Sequence, residues 1–167
     1  MFSYHDARYP ERRISVSRLL AAPAGVIFEV LADPAQHPLL DGSGTVLGPR
    51  GDGGRLFAGA RFPMQMRVGP LPYRVTNTVL EFEEGRRIAW RHVVGHRWIW
   101  QLEPDGEATT VTETFDWSTA RAPGLIERLG YPERNERGIA ATLGRLEQLV
   151  TMAAEGSPAG GVRRREV

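Results

Sequence analysis

The sequence predicts an α+β domain in which a curved antiparallel β-sheet wraps around one long C-terminal α-helix. Three observations predict it. Apolar and polar residues alternate with period two from Arg61 to Trp117, a helical period sets in at Ile139 and runs to Val150, and two short helical pieces follow a single opening strand. Ionisable residues occupy the apolar face of that alternation, at His92, His96 and Glu113, where a solid sandwich would carry Leu, Val or Phe. A sheet of this pattern lines a cavity as well as a core.

The elements follow in order. Arg13 to Arg18 reads as a strand in which Ile14 and Val16 share a face. Pro23 suits the first turn of a helix, where its missing N–H is no loss, and Val26, Ile27, Val30 and Leu31 form an inward stripe that Asp33-Pro34 ends. A short helical turn is expected from Pro34 to about Leu40. The glycine-rich run from Gly42 to Gly59 reads as mobile loop with a short strand at Thr45 to Leu47. Phe62, Met64, Met66 and Val68 share one face of the next strand, while Pro72 to Phe82 alternates less cleanly. Ile88, Trp90 and His92 share a face, and after a turn at Gly95 so do His96, Trp98, Trp100 and Leu102. The last strand points Val111, Glu113, Phe115 and Trp117 inward and its threonines outward; a bulge there would exchange Glu113 for Thr112. Ala122 to Tyr131 holds a helical turn, and the long helix starts near Pro132, with Ile139, Leu143, Leu146 and Val150 as its buried stripe. The expected organisation is an N-terminal extension at 1–12, one domain at 13–152 and a disordered tail at 153–167, rich in glycine and arginine.

Composition removes whole classes of function. At 167 residues, 41% hydrophobic and 25% charged, the chain buries one core and needs no second domain. A formal net charge of +1 and a pI near 8.3, with arginines spread along the chain, argue against a nucleic-acid partner. No apolar run approaches the roughly 20 residues of a spanning helix, and Met1 to Arg13 does not resemble a signal peptide, so no stable membrane insertion and a cytoplasmic location are expected. The absence of cysteine excludes thiolate chemistry, and because all 21 basic residues are arginine no lysine can form a Schiff base.

Four stretches carry a family resemblance: the opening Ile14-Ser15-Val16 strand, the segment from Ala21-Ala22-Pro23 to Ala32-Asp33-Pro34, the Arg86-Arg87-Ile88-Ala89-Trp90 strand and the Ala108-to-Glu113 strand. Over about residues 12 to 152 the chain resembles the SRPBCC superfamily, the helix-grip fold of START lipid-transfer domains, the birch-pollen allergen type and polyketide cyclase/dehydrase-like proteins. The resemblance implies a deep hydrophobic cavity between sheet and C-terminal helix, used to carry lipids, hormones or polyketides and, in a minority, to fold and dehydrate a polyketide chain. Many members place a tryptophan after the position of Asp33-Pro34, where this chain has Gln36-His37-Pro38-Leu39-Leu40-Asp41. No catalytic set is common to the members, so candidates come from the residues themselves.

Glu113, His92, His96 and Tyr73 are the candidates for proton transfer. The histidines flank a tight connection and should be cross-strand neighbours, with Glu113 on the adjoining strand. A buried carboxylate needs a partner, which an imidazolium or arginine would supply, and burial would move its pKa towards neutrality. The alternative is that Glu113 pairs with a histidine or Tyr73 and only steadies the sheet. The same three groups offer ligand types that zinc accepts, but a His-x-x-x-His spacing across a hairpin fixes no tetrahedron, and neither metal nor cofactor is expected. Trp90, Trp98, Trp100, Phe115 and Trp117 supply aromatic walls, Met64 and Met66 adaptable ones, and Tyr73, Asn77, His92, His96 and His37 the polar contacts of a ligand site. Asp41 and Ser43 read as capping residues near the mouth.

Three functions follow as expectations. The first is binding or transport of a small hydrophobic ligand by a monomer or homodimer. The second is a polyketide aromatase, cyclase or dehydratase in which Glu113 or a histidine moves protons while Tyr73 or Asn77 binds an enolate oxygen. The third is a ligand-stabilised regulatory module that acts through a protein partner.

Overall fold

A computed structural model describes residues 8–51 and 53–156. The chain runs β1 (Arg13–Leu20), α1 (Ala24–Ala32), α2 (His37–Leu40), β2 (Val46–Pro49), β3 (Arg61–Val68), β4 (Leu71–Glu83), β5 (Arg87–Arg91), β6 (Arg97–Asp105), β7 (Ala108–Asp116), α3 (Pro123–Arg128) and α4 (Tyr131–Gly156). The seven strands form one antiparallel sheet in the order β1-β7-β6-β5-β4-β3-β2, so a meander is completed when β1 returns beside β7. This is the helix-grip architecture, with α4 held in the sheet's concave face.

Local chemistry sets the element ends. Pro23 sits just before α1 as its N-cap, and Asp33 closes the helix by accepting the Ala35 N–H on Oδ1 at 3.0 Å while Pro34 prevents another turn. The irregular alternation of β4 has a concrete cause. Pairing with β5 shifts between Val79 and Glu81, so Leu80 bulges outward and Val79 stays buried. In β7 the register is unbroken: Glu113 faces inward, 6% exposed, whereas the Thr112 hydroxyl hydrogen-bonds Ser17 on the outer face at 2.7 Å. The long helix does not stop where the tail was expected to begin, since residues 153–156 continue α4; the remainder of that tail and residues 1–7 of the N-terminal extension lie outside the described residues.

The interior has a solid end and a hollow end. Ile27, Phe28 and Leu31 of α1 are fully buried, and Phe28 meets Phe82 edge-on at 5.2 Å. Burial of each such side chain contributes about 1.5–3 kcal/mol. On α4, Ile139, Leu143, Leu146 and Val150 are at most 1% exposed, which gives the helix its grip on the sheet. The loop after α2 packs closely against this helix: the Gly42 N–H donates to Thr142 Oγ1 at 2.9 Å, and a Cβ on Gly42 would lie 2.4 Å from the Gly138 carbonyl oxygen. Among the described residues, no helix is long and apolar enough to cross a membrane.

Candidate functional site

α4 leaves part of the concave face uncovered, and a cavity of about 960 Å³ remains between helix and sheet. That lies at the upper end of the roughly 300–1,000 Å³ typical of ligand pockets. Strand register arranges its wall in tiers. Deepest are Trp100 of β6 and Glu113 of β7, directly opposite each other; above them Trp90, Trp98 and Phe115 align across three strands; above these, at the β5–β6 hairpin, come His92 and His96. Met64, Met66, Val75 and Ile139 complete the apolar lining. The mouth lies among the β3–β4 hairpin at Val68 and Gly69, the β5–β6 hairpin at Val94, Leu125 of α3 and its C-cap Leu129, and Tyr131 at the start of α4.

Four buried polar atoms along this wall make no hydrogen bond among the described residues: Asn77 Oδ1, His96 Nδ1, Trp100 Nε1 and Glu113 Oε2. A buried group left unsatisfied costs about 1–3 kcal/mol, and such groups are rare in folded proteins. Burial, reinforced by the nearby charge of Asp41, holds the Glu113 carboxyl well above the usual carboxylate range and so favours its protonated form. The expected pairing of Glu113 with an imidazolium, an arginine or Tyr73 is not formed. Trp98 and Phe115 occupy the tier between Glu113 and the histidines, and the imidazoles are themselves neutral. His92 and His96 stack at 4.4 Å between ring centroids, 12° from parallel. Burial lowers the pKa of both, and the proximity of His92 adds to the burial of His96, which falls to about 3.

The other predicted residues divide by depth. Tyr73 is 38% exposed at the mouth, several residues along β4 from buried Asn77, so the two do not converge on one oxygen with Glu113. His37 is buried against the wall, stacked on Trp90 at 5.3 Å, and its Nε2–H donates to the Leu31 carbonyl at 2.9 Å. Asp41 caps the turn after α2 by accepting the N–H groups of Ser43, Thr45 and Val46 at 2.8–2.9 Å. Trp117 requires a correction, because it is fully buried but does not line the cavity. It stacks on Phe115 at 5.2 Å, meets Tyr9 edge-on at 5.5 Å and donates its Nε1–H to Glu127 at 3.0 Å. Among the described residues, no three His, Cys, Asp or Glu side chains gather as metal ligands would.

Sequence reasoning missed the helical side of the cavity. Leu125, Ile126 and Leu129 from the α3 segment and Arg134, Asn135 and Arg137 from the first turns of α4 line it. Their signal was available in part: Arg134 and Gly138 lie on the same helical side as Tyr131, three and seven residues on, ahead of the Ile139 stripe.

Fold and cavity together define a helix-grip domain with a hollow between sheet and helix. The chain belongs to the polyketide cyclase/dehydrase and lipid transport family, whose model matches residues 11–151, and so to the SRPBCC superfamily. An uncharacterized protein of Mycobacterium tuberculosis is 42% identical over 139 residues, a match covering 80% of this chain and 62% of that protein. This chain therefore spans less than two thirds of that relative's length. A Nitrosomonas europaea protein of known crystal structure has a TM-score of 0.67 at 20% identity, covering 90% of this chain and 99% of that one. An AHSA1-like protein from Aeromonas hydrophila has a TM-score of 0.63 at 21% identity, covering 85% and 94% respectively. At these identities the two structures speak for the fold alone.

Proposed function

We propose that this protein binds or carries a small, largely apolar ligand in the cavity beneath α4. The observation that carries the reading is the combination of a hollow of about 960 Å³, aromatic walls and four buried polar atoms that the protein itself leaves unpartnered. A core selected only for stability would fill the space and satisfy or remove those atoms. Family membership supports ligand binding at this level. The exposed apolar residues Val68, Val94, Leu125 and Leu129 border the cavity, which favours ligand entry there over a separate partner-docking face.

Native mass spectrometry of the protein purified from its own host tests this directly: a bound apolar molecule is expected, lost on Trp98→Ala. Trp98 contacts Phe115 at 4.9 Å in the middle tier, and its truncation should weaken binding by more than about 1 kcal/mol. Unchanged affinity would remove the middle tier from the site.

A second reading, proton transfer on a polyketide-like chain, is favoured by one observation: Glu113, whose burial favours the protonated carboxyl, has an unpartnered Oε2 in the deepest tier. Glu113→Gln is then expected to abolish turnover while binding survives, and retained turnover would dismiss Glu113 as the acid.

A further inference from the structure

The polar groups of the cavity are sorted by charge along its length. At the closed end Trp100, 1% exposed, and Glu113, 6% exposed, form a cross-strand pair whose Nε1 and Oε2 both lack a partner. An indole nitrogen is only a donor, and a protonated carboxyl offers a donor and an acceptor. Together they suit one uncharged oxygen, a hydroxyl or a carbonyl, and with no arginine in that tier they do not suit a buried anion. At the other end the exposed charged side chains that line the cavity are all arginines: Arg121, which precedes α3, and Arg134 and Arg137 on α4. None of the three has a carboxylate partner among the described residues, and Arg134 rests over the Tyr131 ring at 5.3 Å. Among the described residues, the one acidic side chain of the wall besides Glu113 is Asp41, whose oxygens are occupied by the Ser43, Thr45 and Val46 N–H groups. Between the two ends lie the aromatic tier of Trp90, Trp98 and Phe115 and, above it, the uncharged His92, His96 and Asn77, with Met64 adding to the apolar lining.

We propose that the ligand is an amphiphile seated tip-first, with a neutral hydroxyl or carbonyl oxygen on the Trp100–Glu113 pair, an apolar body along the aromatic tier and an anionic head, carboxylate or phosphate, at the Arg121–Arg134–Arg137 mouth. This rests on the reading of the cavity as a ligand site and adds its polarity and direction. Arginine's planar fork matches either head group, while an uncharged head would forgo those charge-assisted bonds. A tip without oxygen would leave the deep donors unsatisfied, as they are without ligand.

The test uses intrinsic tryptophan fluorescence, since Trp90, Trp98 and Trp100 line the cavity. The probes are ω-hydroxyhexadecanoate, hexadecanoate, the methyl ester of the hydroxy acid and the corresponding hydroxyalkyl phosphate, with the dodecanoate series alongside to vary reach. The hydroxy acid is expected to bind at least about tenfold more tightly than both the plain acid and the ester. Arg134→Gln with Arg137→Gln should abolish the preference for acid over ester and keep the preference for the hydroxyl. Glu113→Leu should do the reverse. Retained binding of the phosphate places any anion at the mouth, and its loss restricts the head to carboxylate; both outcomes support an anionic head. Equal binding of acid, ester and hydroxy acid in both chain lengths overturns the polarity while leaving a ligand cavity in place. Failure of every probe to bind up to its solubility overturns the polarity and the cavity reading together.

Discussion

Two tryptophan–glutamate pairs lie on the inner side of the same sheet region, and they are built in opposite ways. Trp117 is fully buried, its indole N–H donates to Glu127 at 3.0 Å, and the same carboxylate oxygen accepts from Arg12 Nε at 3.1 Å. Trp100 is as deeply buried and faces Glu113 across the β6–β7 ladder, yet its N–H and Glu113 Oε2 have no partner among the described residues. The first pair ties the N-terminal segment and α3 to the end of β7. The second holds hydrogen-bonding capacity in reserve, facing a cavity. What separates the two pairs is therefore neither residue type nor burial, but whether the fold itself completes the hydrogen bonds.

The largest expected effect comes from breaking the completed pair. Glu127→Ala leaves Arg12 without its carboxylate and Trp117 without its acceptor, and should cost about 3 kcal/mol in urea unfolding. The cavity's affinity for its probes should be unchanged in the folded fraction; a loss below about 1 kcal/mol would make the two pairs equivalent. Glu113→Leu is expected to move stability the other way, by up to about 1–2 kcal/mol, because it removes an unsatisfied carboxyl without disturbing a partner. A Glu113 variant as damaging as the Glu127 one would show that the deep pair is structural.

Smaller effects sharpen the contrast through pH. The folded-state pKa of Glu113 is raised, so the native protein binds that proton more tightly than the unfolded chain does. Its contribution is complete below the ordinary carboxyl value near 4.5 and declines as pH rises towards the folded pKa. His96 runs the other way: its pKa falls from 6.5 to about 3 by burial, so stability declines as pH drops through that window and the imidazole must charge. His96→Gln should flatten the acid limb of a stability–pH profile and Glu113→Gln the decline that sets in above the ordinary carboxyl value. Identical profiles for wild type and both variants would refute these assignments. The smallest effect is expected from Trp100→Phe, which loses ring area but no hydrogen bond, so it should cost less than Trp117→Phe, which also takes a donor from Glu127.

Much of this arrangement was legible in the chain. Alternation in β7 placed Glu113, Phe115 and Val111 on one face because a strand's side chains must alternate, and the Ile139–Leu143–Leu146–Val150 stripe marked α4 because a helix repeats every 3.6 residues. The same rule misled at Trp117, since period two predicts the side of the sheet a residue takes but not whether that side is hollow there. Arg134 and Arg137 went unnoticed because an exposed arginine on a helix has the same sequence signature whether it borders solvent alone or a cavity mouth.

Local periodicity by itself determined the strands, the gripping helix and the presence of ionisable groups on an apolar face, because these depend on backbone geometry and near neighbours. Only the tertiary structure decided which of those groups would be satisfied. Glu127 reaches Arg12 across 115 positions of chain, whereas among the described residues no side chain meets Glu113 Oε2. Such pairings are set by where distant segments come to rest, and no short-range pattern records that.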